Sequence, residues 1–130
     1  MLKAACLWLK LCTTISGPAY AIDGDTIIVQ TQHIRLHGVD AEELNEPHGQ
    51  YAKLAMAAII NASIVTCELT GGKSPYDRYV GTCFVNGHDI GEEIIKQGFA
   101  LDCAHYSHGK YRQFEPKDIR QHLIQKPYCR

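Results

Sequence analysis

The chain has no excess of positive charge, no CxxC pair, no HExxH and no apolar run long enough to cross a bilayer. Its formal net charge is −1 over 130 residues. A protein that coats nucleic acid nonspecifically carries a basic excess, so that class is disfavoured. Without CxxC, neither a zinc ribbon nor a thioredoxin-like redox motif is expected. The histidines are dispersed, and no pair has zinc-site spacing, so they read as surface or hydrogen-bonding residues. A membrane span needs about 18 consecutive apolar residues, and no stretch approaches that. Internal repeats and linkers are also absent, which leaves one domain with a modest core.

What is present begins with an ambiguous N-terminus. Met1 to Cys12 places a lysine before a short apolar run, as a signal peptide does, but Lys10 interrupts it. The segment 1–12 reads as a degenerate export signal or an added helix, with the domain proper over 13–130. Strands are predicted over Thr13–Ile22, Thr26–Gln30, His33–Val39, Ser63–Leu69 and Arg78–Val85. Helices are predicted over Gly49–Asn61, Asp89–Gln97 and Pro116–Gln125. In the first helix, Tyr51, Ala55, Ala58 and Ala62 are expected to share one face, with Leu54 and Ile59 beside them. Asp89 is the expected N-cap of the second, with Gly98 as its stop. Ala104–Lys110 reads as a loop. Periodicity alone supports a small mixed β-barrel.

The chemistry gathers at strand ends. Ile34 to Val39 alternates like a strand with two unlike faces, and Asp40, Glu42 and Glu43 follow at its end. Asp23-Gly24 signals a tight turn that sets Asp25 at the next strand start. Two strand ends in one sheet can bring Asp25 and Asp40 together. Two carboxylates with a backbone carbonyl suit a hard cation such as calcium. Without one, close carboxylates repel.

Asp23-Gly-Asp-Thr26, Ile34-Arg-Leu-His-Gly-Val-Asp40 with Glu43, Tyr76-Asp-Arg-Tyr79 and Gln97-Gly-Phe-Ala100 together resemble the staphylococcal nuclease (thermonuclease-like) family. The resemblance runs in order from about Ser16 to Glu115. It implies a mainly β fold: a five-stranded OB barrel with about three α-helices. It implies a calcium-dependent endonuclease that cuts DNA and RNA and leaves 3′-phosphate ends. Asp25, Asp40 and the Ala41 carbonyl match its calcium ligands, Glu43 the carboxylate that activates or orients water, and Arg35 a phosphate-clamping arginine. The second arginine depends on alignment. Matching motif letters over Asp77–Gly81 leaves none, whereas counting back from Asn86-Gly87 without gaps puts Arg78 there. The same counting places Tyr76 and, from Gln97-Gly98, Tyr106 at substrate-side positions. The alternative is a non-catalytic nuclease-like OB module that binds nucleic acid or protein.

Glu42 stands where the family usually has proline. It can point to solvent, add charge near the cation, or replace Glu43 as the base; the offset from Asp40 favours Glu43. Cys67 and Cys83 are placed to face each other on neighbouring strands, and Cys103 and Cys129 to tie the tail to the barrel. An even cysteine count in a small domain points to secretion or the periplasm; reduced thiols in the cytosol are the other reading.

Overall fold

Thr26–Val29 (β2) and Gln32–Leu36 (β3) pair antiparallel, with Val29 opposite Gln32, so only Gln30 and Thr31 make the turn. Both have positive φ (48° and 66°), the geometry that matches the twist of a two-residue hairpin. A computed structural model describes residues 13–71 and 78–130. Segment 1–12, Cys6, Cys12, Tyr76 and Asp77 lie outside the described residues.

Thr13–Ala21 (β1) pairs with β2 on one side and with Ile64–Leu69 (β5) on the other. Tyr79–Val85 (β6) pairs antiparallel with β5 and parallel with β3. The five strands therefore close into a ring, β1-β2-β3-β6-β5, the OB-fold barrel. Its interior is filled by Ile27, Val29, Ile34, Leu36, Val65 and Leu69. Cys67 and Cys83 are register partners on β5 and β6 and are bridged, with their Cα atoms 4.0 Å apart.

The strand predicted over His33–Val39 is broken. The chain turns at His37-Gly38, where Gly38 has φ 75°, and a separate strand Val39–Asp40 (β4) pairs with Leu101–Asp102 (β8). Asp25 and Asp40 thus flank two different sheets, not one.

Helix Gly49–Ile60 (α1) caps the barrel with Ala52, Met56 and Ile60, all buried. This is not the face expected from the sequence: Tyr51 and Leu54 are 60% and 65% exposed. The alanines misled because they fit either face, whereas burying Met56 and Ile60 removes far more apolar surface from water, about 1.5–3 kcal/mol each. Close approach sets the helix position. A Cβ at Gly49 would lie 1.8 Å from the Glu43 carbonyl oxygen, and one at Gly24 2.6 Å from the Ala41 Cβ. Only glycine lets the Asp25 turn, the Asp40–Glu43 corner and the helix start meet this closely.

After His88–Asp89 (β7), helix Ile90–Lys96 (α2) is capped by Asp89, which accepts from the Gly91 and Glu92 amides. Buried Tyr111 donates to the other Asp89 oxygen at 2.6 Å. Ala104–Ser107 is one helical turn (α3) instead of a loop. No helix among the described residues is long and apolar enough to cross a membrane.

The helix predicted over Pro116–Gln125 does not form. Asp118 takes a left-handed φ of 63°, and only a 3₁₀ turn follows at Ile119–Gln121. Tertiary acceptors outcompete the helix. The Arg120 guanidinium donates to Glu115 and to the Asp102 carbonyl, which also accepts from the Gln125 side-chain Nε2. The backbone N–H groups of Ile124 and Lys126 donate to Glu42 and Asp40. The tail is then bridged from Cys129 to Cys103.

Glu42 is accordingly buried, which overturns its solvent-facing reading. Its carboxylate accepts from the His48 amide (2.9 Å), His48 Nδ1 (2.9 Å) and the Ile124 amide (3.0 Å). Burial raises its pKa, but these donors outweigh that and hold it below the ordinary glutamate value. Glu42 joins the start of α1 to the tail. Glu42→Ala leaves three donors without a charged acceptor and should cost about 2–4 kcal/mol in chemical unfolding. A loss under about 0.5 kcal/mol would show that the tail is held without it.

Candidate active site

Asp25 precedes β2 and faces the corner that follows β4. Its Oδ2 accepts from the Ala41 amide at 2.8 Å and lies 3.4 Å from Arg35 Nη2. Burial raises the Asp25 pKa to about 6, against the opposing pull of Arg35. Arg35 comes from β3. Its Nη1 donates to the carbonyls of Leu36 and Val39, so its guanidinium is fastened across the His37-Gly38 turn. Burial works against its charge, but Asp25, Tyr128 and Asp40 outweigh it and raise the pKa.

Asp40 is 1% exposed, yet it is fully partnered. Lys126 uses both of its nitrogens there: the backbone N–H donates to Oδ2 at 3.0 Å and Nζ to Oδ1 at 3.0 Å. The same ammonium donates to the Ala41 carbonyl at 2.7 Å and lies 3.5 Å from Glu43 and 3.8 Å from Glu46. Burial lowers the Lys126 pKa, but Asp40, Asp25 and Glu43 raise it further than burial lowers it. Glu43 itself is half-exposed, and its amide donates to Glu46. The corner thus gathers a solvent-facing carboxylate, a buried carboxylate and a backbone carbonyl around one positive charge. Hard oxygen donors of this kind are the type that calcium takes; here the Lys126 ammonium is their positive partner. No three His, Cys, Asp or Glu side chains among the described residues are arranged as a metal site.

Beside the corner runs a cleft of about 510 Å³ lined by Arg35, His37, Arg78, Tyr106 and Tyr128 among others. The parallel β3–β6 pairing explains why the arginines share it. Arg35 is register partner of Val80, and Arg78 lies just before β6. Tyr106 from α3 stands edge-on to His105, His37 and Tyr128. Burial, Lys110, His108 and Arg35 lower the His37 pKa. The structure brings Asp25, Arg35, Asp40, Ala41 and Glu43 to one corner, and Arg78 and Tyr106 into the adjoining cleft.

Sequence reasoning missed Lys126 and Tyr128, and it singled out Glu42 without finding the partners that bury it. Glu42 lies inside the resemblance but departs from it. Lys126 and Tyr128 lie beyond it; their one signal was Cys129, whose bridge to Cys103 brings them to the site.

The chain is 38% identical over 100 residues to the succinoglycan biosynthesis protein ExoI of Rhizobium meliloti (strain 1021), covering 68% of this chain and 52% of that protein. It is 30% identical over 91 residues to an uncharacterized endonuclease of Haemophilus influenzae, covering 66% and 51%. It is 30% identical over 76 residues to a probable staphylococcal-like nuclease, CAN2, of Oryza sativa subsp. japonica, covering 58% and 20%. The chain thus spans about half the length of the two bacterial relatives and a fifth of the rice one. Residues 33–122 match the family described as staphylococcal nuclease homologue; they make up most of the chain and carry the closed barrel's β3, β5 and β6, and the protein belongs to the staphylococcal nuclease family.

Proposed function

We propose that this chain is an endonuclease that hydrolyses phosphodiester bonds of DNA and RNA with calcium, leaving 3′-phosphate ends. The observation that carries the reading is the shared cleft. Two arginines, one on β3 and one just before β6, line it next to a corner of carboxylates. Guanidinium forks hold phosphate oxygens bidentately and do not read bases, so either nucleic acid fits.

Asp25, Asp40 and the Ala41 carbonyl would hold the calcium. When bound, it supplies positive charge to the phosphate and the attacking water. Glu43 is the half-exposed carboxylate and can meet that water. The water oxygen forms a bond to phosphorus as its proton passes to Glu43. The bond from phosphorus to the 5′-oxygen breaks, and that oxygen takes a proton from solvent. Arg35 and Arg78 balance the added negative charge. Tyr106, which lines the same cleft, contacts the substrate beside them; Tyr76, the other tyrosine assigned to the substrate side by the resemblance, lies outside the described residues. Two disulfides agree with an oxidising compartment, and we place the protein outside the cell or in the periplasm.

The deciding experiment is digestion of plasmid and single-stranded DNA with calcium, then with chelator. Cleavage is expected with calcium and a sharp fall with magnesium alone, since magnesium keeps its waters and demands a stricter shell. Binding without products would favour the non-catalytic module. Two variants test the roles. Glu43→Gln should lose about 10²–10⁴ in rate if it takes the proton. Arg78→Lys should lose roughly 10²–10³ with the fold intact. Wild-type rates in folded Arg78→Lys protein would remove Arg78 from the clamp.

A further inference from the structure

The Lys126 ammonium sits among the oxygens assigned above to calcium. It is 2.7 Å from the Ala41 carbonyl and 3.0 Å from Asp40 Oδ1, and its side chain is 15% exposed. The lysine's own amide takes the second Asp40 oxygen. Asp40 therefore has no oxygen left that Lys126 does not hold. Calcium ligands lie at roughly 2.3–2.6 Å. An ion within that distance of both Asp40 and the Ala41 carbonyl would overlap the ammonium, and two positive charges so close repel strongly.

The lysine is not a wandering surface chain. Ile124 is held by Glu42, Gln125 by the Asp102 carbonyl, and Cys129 by Cys103. Tyr128, on the same segment, lines the cleft with Arg35. The matched family region ends at residue 122, so the element that delivers the charge lies past it. The residue that replaces the usual proline, Glu42, is also the one that receives this tail.

We propose that Lys126 is a built-in competitor of the divalent cation, so that the tail sets the calcium concentration at which the corner loads. This rests on the reading of the corner as a calcium site. Loading requires the ammonium to leave Asp40 and Ala41. The lysine's amide has to give up Asp40 Oδ2 if both carboxylate oxygens turn to the ion. The anchors on either side stay in place, and the ammonium returns when calcium is removed.

Two measurements test this. Calorimetry should find calcium bound at least tenfold more tightly by Lys126→Met than by the natural protein. In the natural protein, saturating calcium should speed hydrogen exchange at the Lys126 amide at least tenfold and leave the β5 and β6 amides unchanged. The second measurement holds even where the variant fails to fold. Equal affinities with unchanged exchange at Lys126 overturn the competition and leave the calcium reading standing. Calcium bound by neither protein overturns both. Digestion assays, read separately, decide whether the corner cleaves nucleic acid at all.

Discussion

Buried carboxylates govern the construction of this molecule. Asp25, Asp40 and Glu42 are all at most 6% exposed and lie within one short stretch of space. Such groups remain only where donors or cations surround them. Each recruits a different partner. Asp25 takes a strand arginine and a backbone amide, Asp40 takes both nitrogens of a distant lysine, and Glu42 takes the helix entry and a tail amide. Barrel, helix and tail are consequently fastened at the same corner. The site is structural and chemical at once, which is why its acids cannot be read as a solvated surface cluster.

Much of the barrel was legible. Short alternating runs separated by turn residues marked the strands, and the register of β5 against β6 followed closely enough to pair Cys67 with Cys83. Asp25, Arg35, Asp40 and Glu43 were legible because they stand at strand ends, where local pattern and chemistry coincide. The parallel β3–β6 contact sets Arg78 in the same cleft as Arg35.

The failures share a cause. The tail from Pro116 to Gln125 has helical signals, but the backbone donor of Ile124, like that of Lys126 just beyond, goes to an acceptor more than eighty residues earlier. No local window carries that information. Glu42 looked like a surface acid because its partners, His48 and Ile124, come from an adjoining turn and from the far end of the chain. Lys126 had no local pattern of its own, only the nearby Cys129 whose bridge to Cys103 draws the tail to the site. The face of α1 was misjudged by one position, because alanine scarcely distinguishes buried from exposed sides while Met56 and Ile60 do.

The bridge from Cys103 to Cys129 has a consequence for the lysine three positions before Cys129. A ligand on a short tether meets its site as an intramolecular partner, at an effective concentration in the millimolar range. The corner therefore always confronts the same local supply of amine, whatever the dilution of the protein. A reducing environment would lengthen that tether and lower the supply without changing a single atom of the corner. The cystine, though it touches no carboxylate, in this way belongs to the electrostatics of the site.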